Sequence, residues 1–77
     1  MKSYNQFIET DYKVMLGKPV IKGTRLTVEL ILRKLAQVET TNDITKMYPD
    51  LNNEKISAVL EYSADTIANE ESISTLV

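Results

Sequence analysis

Gly17-Lys18-Pro19-Val20-Ile21-Lys22-Gly23-Thr24-Arg25-Leu26-Thr27-Val28 is the stretch that decides how this chain folds. It holds both glycines and one of the two prolines of a 77-residue chain within seven positions. A small domain with so few turn-formers places them where its backbone has to bend. Gly17 and Pro19 therefore bracket a tight turn, and Gly23 supplies a positive φ ahead of Thr24 and Arg25. Lys18, Lys22 and Arg25 put three cations on this bend. Such a cluster reads either as a solvated basic hairpin or as a contact for phosphate or an acidic surface.

The stretch divides two kinds of sequence. Residues 1–26 carry no helical period. Tyr4, Phe7 and Ile8, then Tyr12, Val14 and Leu16, then Val20 and Ile21 are β-prone pieces cut by turns, which predicts two or three short strands. After them, Thr27 is placed to cap a helix in which Val28, Ile31, Leu32, Leu35 and Val38 share one face. Leu30 lies about 140° from the centre of that stripe and is expected to be exposed. Thr40 with Asp43 three residues on approximates a capping box for a short second helix. Ile44, Met47 and Tyr48 cover its inner side, and Pro49 stops it. Asn52 caps a third helix with the stripe Ile56, Val59, Leu60, Ser63 and Ile67, expected to fade near Asn69. The fold class that follows is mainly α with short N-terminal β-strands. It is a three-helix, helix-turn-helix-like domain preceded by a β-hairpin, with residues 1–26 as the hairpin region, 27–69 helical and 70–77 a flexible tail.

The same residues resemble a family. Gly17 through Val28, then Glu29-Leu30-Ile31-Leu32-Arg33-Lys34-Leu35-Ala36, Tyr48-Pro49-Asp50-Leu51 and Ile56-Ser57-Ala58-Val59-Leu60-Glu61-Tyr62 are similar to the signature of the DUF433 proteins. The resemblance runs in order over roughly residues 8 to 64. It implies a small helix-turn-helix-like fold and, for many members, an antitoxin role beside a PIN-like ribonuclease toxin. Three positions depart from the pattern. The family usually has a glycine where this chain has Leu16, often a proline at Thr27, and a glycine at Val38. The first departure bears on the turn geometry. The second is benign, because threonine caps a helix as well as proline starts one. The third removes a helix-ending glycine.

Composition removes whole classes of chemistry. There is no cysteine, hence no disulfide and no thiolate metal site. There is no histidine, the commonest general base and metal ligand. Asp43 and Asp50 read as cap and turn residues rather than metal ligands. No Gly-rich phosphate loop is present, and 8.7 kDa leaves little room for a catalytic pocket. The chain therefore reads as a non-enzyme without cofactor or metal. It has no apolar run of 18 residues and no signal-peptide layout, which points to a cytoplasmic protein with no membrane partner. A domain of this size buries only about 60% of its unfolded surface, so a homodimer built through the N-terminal strands and Leu30 is expected.

Charge is unevenly distributed. Residues 1–34 carry seven Lys/Arg against three Asp/Glu, a net charge of +4; residues 35–77 carry two against eight, a net charge of −6. Two functions follow. As an antitoxin-like protein, the chain would neutralise a PIN-like ribonuclease through Glu61, Asp65, Ile67, Glu70, Glu71, Ile73 and Leu76, where acid stands beside apolar anchors. As a dimeric helix-turn-helix regulator of its own operator DNA, it would hold the duplex with Lys18, Lys22 and Arg25, together with Asn53 and Lys55 on the third helix. Opposite that helix's stripe lie Glu54, Ala58, Glu61 and Asp65, a poor inventory for approaching phosphate.

Overall fold

A computed structural model describes the backbone of residues 3–76 and the side chains of residues 4–69. Two short strands, β1 (Ile8–Glu9) and β2 (Val20–Ile21), precede three helices, α1 (Val28–Ala36), α2 (Thr41–Met47) and α3 (Asn53–Leu76). β1 and β2 pair antiparallel, with Ile8 opposite Ile21 and Glu9 opposite Val20. The expected hairpin is present, but shorter than the β-prone residues imply. Tyr4 lies in a 3-10 turn, Ser3–Gln6, and Met15–Gly17 form another. The Tyr12–Leu16 piece is thus a turn and not a strand. Asp11 starts it by accepting the Lys13 N–H at 2.9 Å, a local bond that competes with any ladder.

The turn after β2 matches its residues. Thr24 N–H donates to the Ile21 carbonyl at 3.0 Å, and Gly23 at the third position has φ +78°, which a side chain would resist. Thr24 Oγ1 ties the loop down, donating to Ile21 O and accepting from Leu26 N–H. The chain then returns along the free side of β2. Val20 bridges to Thr27, and Val28 N–H donates to Pro19 O at 2.9 Å.

All three helix starts are capped as their sequences require. Thr27 Oγ1 accepts the Leu30 N–H at 3.0 Å. Thr40 and Asp43 make a complete capping box, with bonds of 3.0 and 3.1 Å. Asn52 Oδ1 accepts the Lys55 N–H at 2.9 Å. Each bond satisfies a donor that the helix itself leaves unpaired. The core gathers Ile8, Ile21, Val28, Ile31, Ile44, Leu51, Ile56, Ala58 and Val59, with Tyr4, Phe7, Leu32, Leu35 and Tyr62 packed on its edge. Leu30 is half-buried rather than exposed.

Helix ends depart more from expectation. α3 continues past Asn69 to Leu76. α1 stops at Ala36, so Val38 leaves the inner stripe and stands 90% exposed. There it takes φ +64°. Val38 N–H donates to Leu35 O and Glu39 N–H to Lys34 O, which is a Schellman ending built on the wrong residue. Leu16 repeats the problem at φ +57°, 75% exposed, between Met15 at +52° and Gly17 at +84°. These are the two places where the resembling family has glycine. A β-branched side chain in the left-handed region is strained.

Two predictions follow from these local features. Val38→Gly relieves the strain without removing a buried contact, and is expected to raise stability by about 1 kcal/mol, read as a higher melting temperature. Leu16→Gly should act in the same direction. The second concerns acid. The hydrogen bonds from the Thr40 backbone and hydroxyl hold the Asp43 carboxyl below its ordinary range. A depressed folded-state pKa means a contribution present above the unfolded carboxylate pKa and lost as pH falls through the lower folded one. Asp43→Asn should therefore destabilise at neutral pH and flatten the acid limb of a stability–pH curve.

Candidate protein-interaction surface

In a helix-turn-helix, the second helix of the motif presents one face to a partner, and here that helix is α3. The face opposite the sequence stripe is partly covered: Glu54 and Glu61 are exposed and Asp65 is half-buried. Ala58 is buried, 5% exposed, against the expectation that it faces solvent. Gln6 and Phe7 of the N-terminal turn lie beside Asn53, Glu54, Ser57, Ala58 and Glu61, enclosing a cleft of about 390 Å³. Tyr4 Oη donates to the Asp65 carboxylate at 3.0 Å, 61 positions away in sequence. The Tyr4 ring meets Tyr62 edge-on, with centroids 5.5 Å apart. The N-terminal segment therefore laps the flank of α3 that would enter a DNA groove.

That docking rotates the buried side of α3. Ile56 and Val59 stay in the core, while Leu60 and Ile67, expected inside, are 48% and 54% exposed. Ile67 lines a second, wider groove of about 550 Å³ between α1 and α3, together with Pro19, Val28, Leu32, Ala36 and Tyr62. Lys18 and Arg33 stand on its rim. Both pair with Glu29, at 3.7 and 3.0 Å, and the Arg33 guanidinium and the Lys18 ammonium hold the Glu29 carboxyl below its usual range. Met47, expected on the inner side of α2, is also partly exposed.

The five residues expected to hold DNA do not act as one group. Lys18 precedes β2 and reaches α1, whereas Lys22 and Arg25 are exposed on the turn that follows β2. Asn53 is exposed at the start of α3. Lys55 is half-buried and its Nζ donates to Asp50 O at 2.8 Å, closing the α2–α3 turn. Of the residues expected to bind a partner, Glu61 and Asp65 lie beside Tyr4 and Ile67 lines the wide groove. Glu70, Glu71, Ile73 and Leu76 lie beyond the residues whose side chains are described. Leu32, expected in the inner stripe of α1, and Ala36, which lies outside that stripe, supply the other wall of the groove. Their sequence spacing gives no sign that Leu32 ends half-buried at a groove mouth.

Among the described residues no group of three or more acidic side chains is placed to hold a metal ion, and no helix is long and apolar enough to cross a membrane.

Burial, then the hydrogen bond to Asp65 and the charges of Asp65 and Glu61, raise the Tyr4 phenol above its ordinary pKa. A raised folded-state pKa means that its contribution is complete below the unfolded tyrosine range and is lost as pH rises through the folded value. Tyr4→Phe should thus remove an alkaline step from the stability–pH curve. It should also speed hydrogen exchange at Phe7, whose N–H bonds to Tyr4 O, more than exchange within α1.

No curated protein and no solved structure matches the chain. A family model does, over residues 8–63, the span that runs from β1 through the capped helices to the part of α3 packed on the core. The family is described as proteins of unknown function, and the chain belongs to it: it is a DUF433 protein.

Proposed function

We propose that this protein is an antitoxin-like interaction module that binds and neutralises a PIN-like ribonuclease. The observation that carries the reading is the charge of α3. From Ile56 to the C-terminus the chain has Glu61, Asp65, Glu70 and Glu71 and no lysine or arginine. A nuclease that handles RNA presents cations to a polyanion, and an acidic helix with apolar anchors complements such a surface. Helical backbone as far as Leu76 supports this by extending the acidic helix well past the last core residue, Val59. In this reading Glu70, Glu71, Ile73 and Leu76 lead the contact, with Glu61, Asp65 and Ile67 behind them. The DNA-binding alternative has less to rest on. Its reading face is lapped by Phe7 and Tyr4, carries carboxylates, and has its nearest lysine engaged with Asp50.

The test begins with the neighbouring reading frame. A PIN-like nuclease encoded there, mixed with an equimolar amount of this chain, is expected to lose its ribonuclease activity. Truncation after Asn69 should keep the helical core, because the described core residues end at Val59, yet lose most of the inhibition. The wild-type inhibition should weaken as salt rises. A nuclease that stays active beside the full chain overturns the reading, and full inhibition by the truncated chain moves the contact to the basic hairpin.

A further inference from the structure

Lys18 and Arg33 converge on Glu29 at one end of the groove between α1 and α3. Two cations against one carboxylate leave that end with a net positive charge. All three side chains are more than half exposed, so water and solutes reach them. The first turn of α1, which carries Glu29, adds the partial positive charge of a helix start. From Glu29 the groove follows α1 past Leu32 to Ala36, a rise of about 10 Å. This stretch is floored by carbon, from Val28, Leu32, Tyr62 and Ile67. The two hydroxyls on the α3 wall are turned back to their own helix. Ser63 Oγ donates to Val59 O at 2.7 Å and Thr66 Oγ1 donates to Tyr62 O at 2.9 Å. The groove is thus cationic at one end and offers no hydroxyl donor from α3 along its length.

We propose that this groove binds a free, medium-chain aliphatic carboxylate. The carboxylate lies between Lys18 and Arg33, and the chain lies along Leu32 toward Ala36. Three properties select this ligand. The first is charge: a second carboxylate brings the rim to two cations and two anions, at the end where the α1 dipole also favours an anion. The second is the spent hydroxyls. A sugar, a nucleotide or an extended peptide would lay polar groups over the apolar floor and leave them unpaired, whereas an alkyl chain loses nothing there. The third is size. At about 550 Å³ the groove falls in the range of small-molecule sites, about 300–1,000 Å³.

The inference stands apart from the nuclease reading, and its test needs only this chain. Isotope-labelled protein is titrated with decanoate at low salt, below micelle-forming concentrations. Saturable amide shifts are expected at Leu32, Ala36 and Ile67 and not at Gly23, with a Kd on the order of 0.1 mM. Octanoate should bind about tenfold more weakly, because two methylenes are lost. Decylammonium has the same tail and the opposite charge, and should bind at least about tenfold more weakly than decanoate. Arg33→Gln should weaken decanoate by about fivefold, and Glu29→Gln, which removes the competing carboxylate, should strengthen it by about threefold. Both side chains are exposed, and an unchanged circular dichroism spectrum checks that the variants fold. Truncation after Asn69, the damaging change for nuclease binding, should leave decanoate binding intact, so the two readings fail separately. Absence of a saturable shift in the groove overturns the inference, whatever covers the groove instead, a second copy of the chain included. Equal binding of decylammonium also overturns it, since the rim charge would then select nothing.

Discussion

Val20 and Ile21 are both completely buried, and the remainder of the molecule is arranged around this dipeptide. A buried strand must have its backbone groups paired, since an orphaned amide in the core costs about as much as a lost hydrogen bond. β1 pairs one edge. Residues 26–28 return along the other, with Ile21 N–H bonded to Leu26 O and Val28 N–H to Pro19 O. That return is possible only because Gly23 turns the chain tightly, and it delivers Thr27 to the position from which it caps α1. The hairpin and the first helix are therefore one unit joined by main-chain bonds, not two elements connected by a loop.

Onto that unit α3 is packed from two sides. α1 covers one flank, and the 3-10 turn Ser3–Gln6 with Phe7 covers the next. With both in place, the sector left to solvent runs from Leu60 and Ile67 round through Ala64 and Ser57 to Glu61 and Glu54. This single rotation has two results. It buries Ala58 and covers part of the flank that carries Glu61 and Asp65, and it leaves Leu60 and Ile67 about half exposed. The Tyr4–Asp65 bond fixes the rotation, and the edge-on Tyr4–Tyr62 contact shapes the clamp.

Electrostatics acts on a coarser scale. The exposed ion pairs around Glu29 contribute little stability individually, because water screens them. They leave the groove rim cationic while the distal part of α3 is anionic. The two halves of the chain thus carry opposite net charge.

The elements that sequence determined are those fixed by near neighbours. Thr27, Thr40 with Asp43, and Asn52 each cap a helix through bonds to residues three positions away, so spacing alone placed the starts of α1, α2 and α3. Gly23 announced its turn in the same way, whereas the left-handed backbone at Leu16 and Val38 was visible only in the structure. What tertiary structure alone decided is the identity of the buried side of α3. A helical stripe shows which side chains prefer shelter, but not from which direction shelter arrives. Here it comes from Tyr4 and Phe7, about fifty to sixty positions away, whose β-prone sequence suggested a strand. Burial of Ala58, exposure of Leu60 and Ile67, and the groove against Leu32 and Ala36 all follow from that distant contact, and a local pattern cannot encode it.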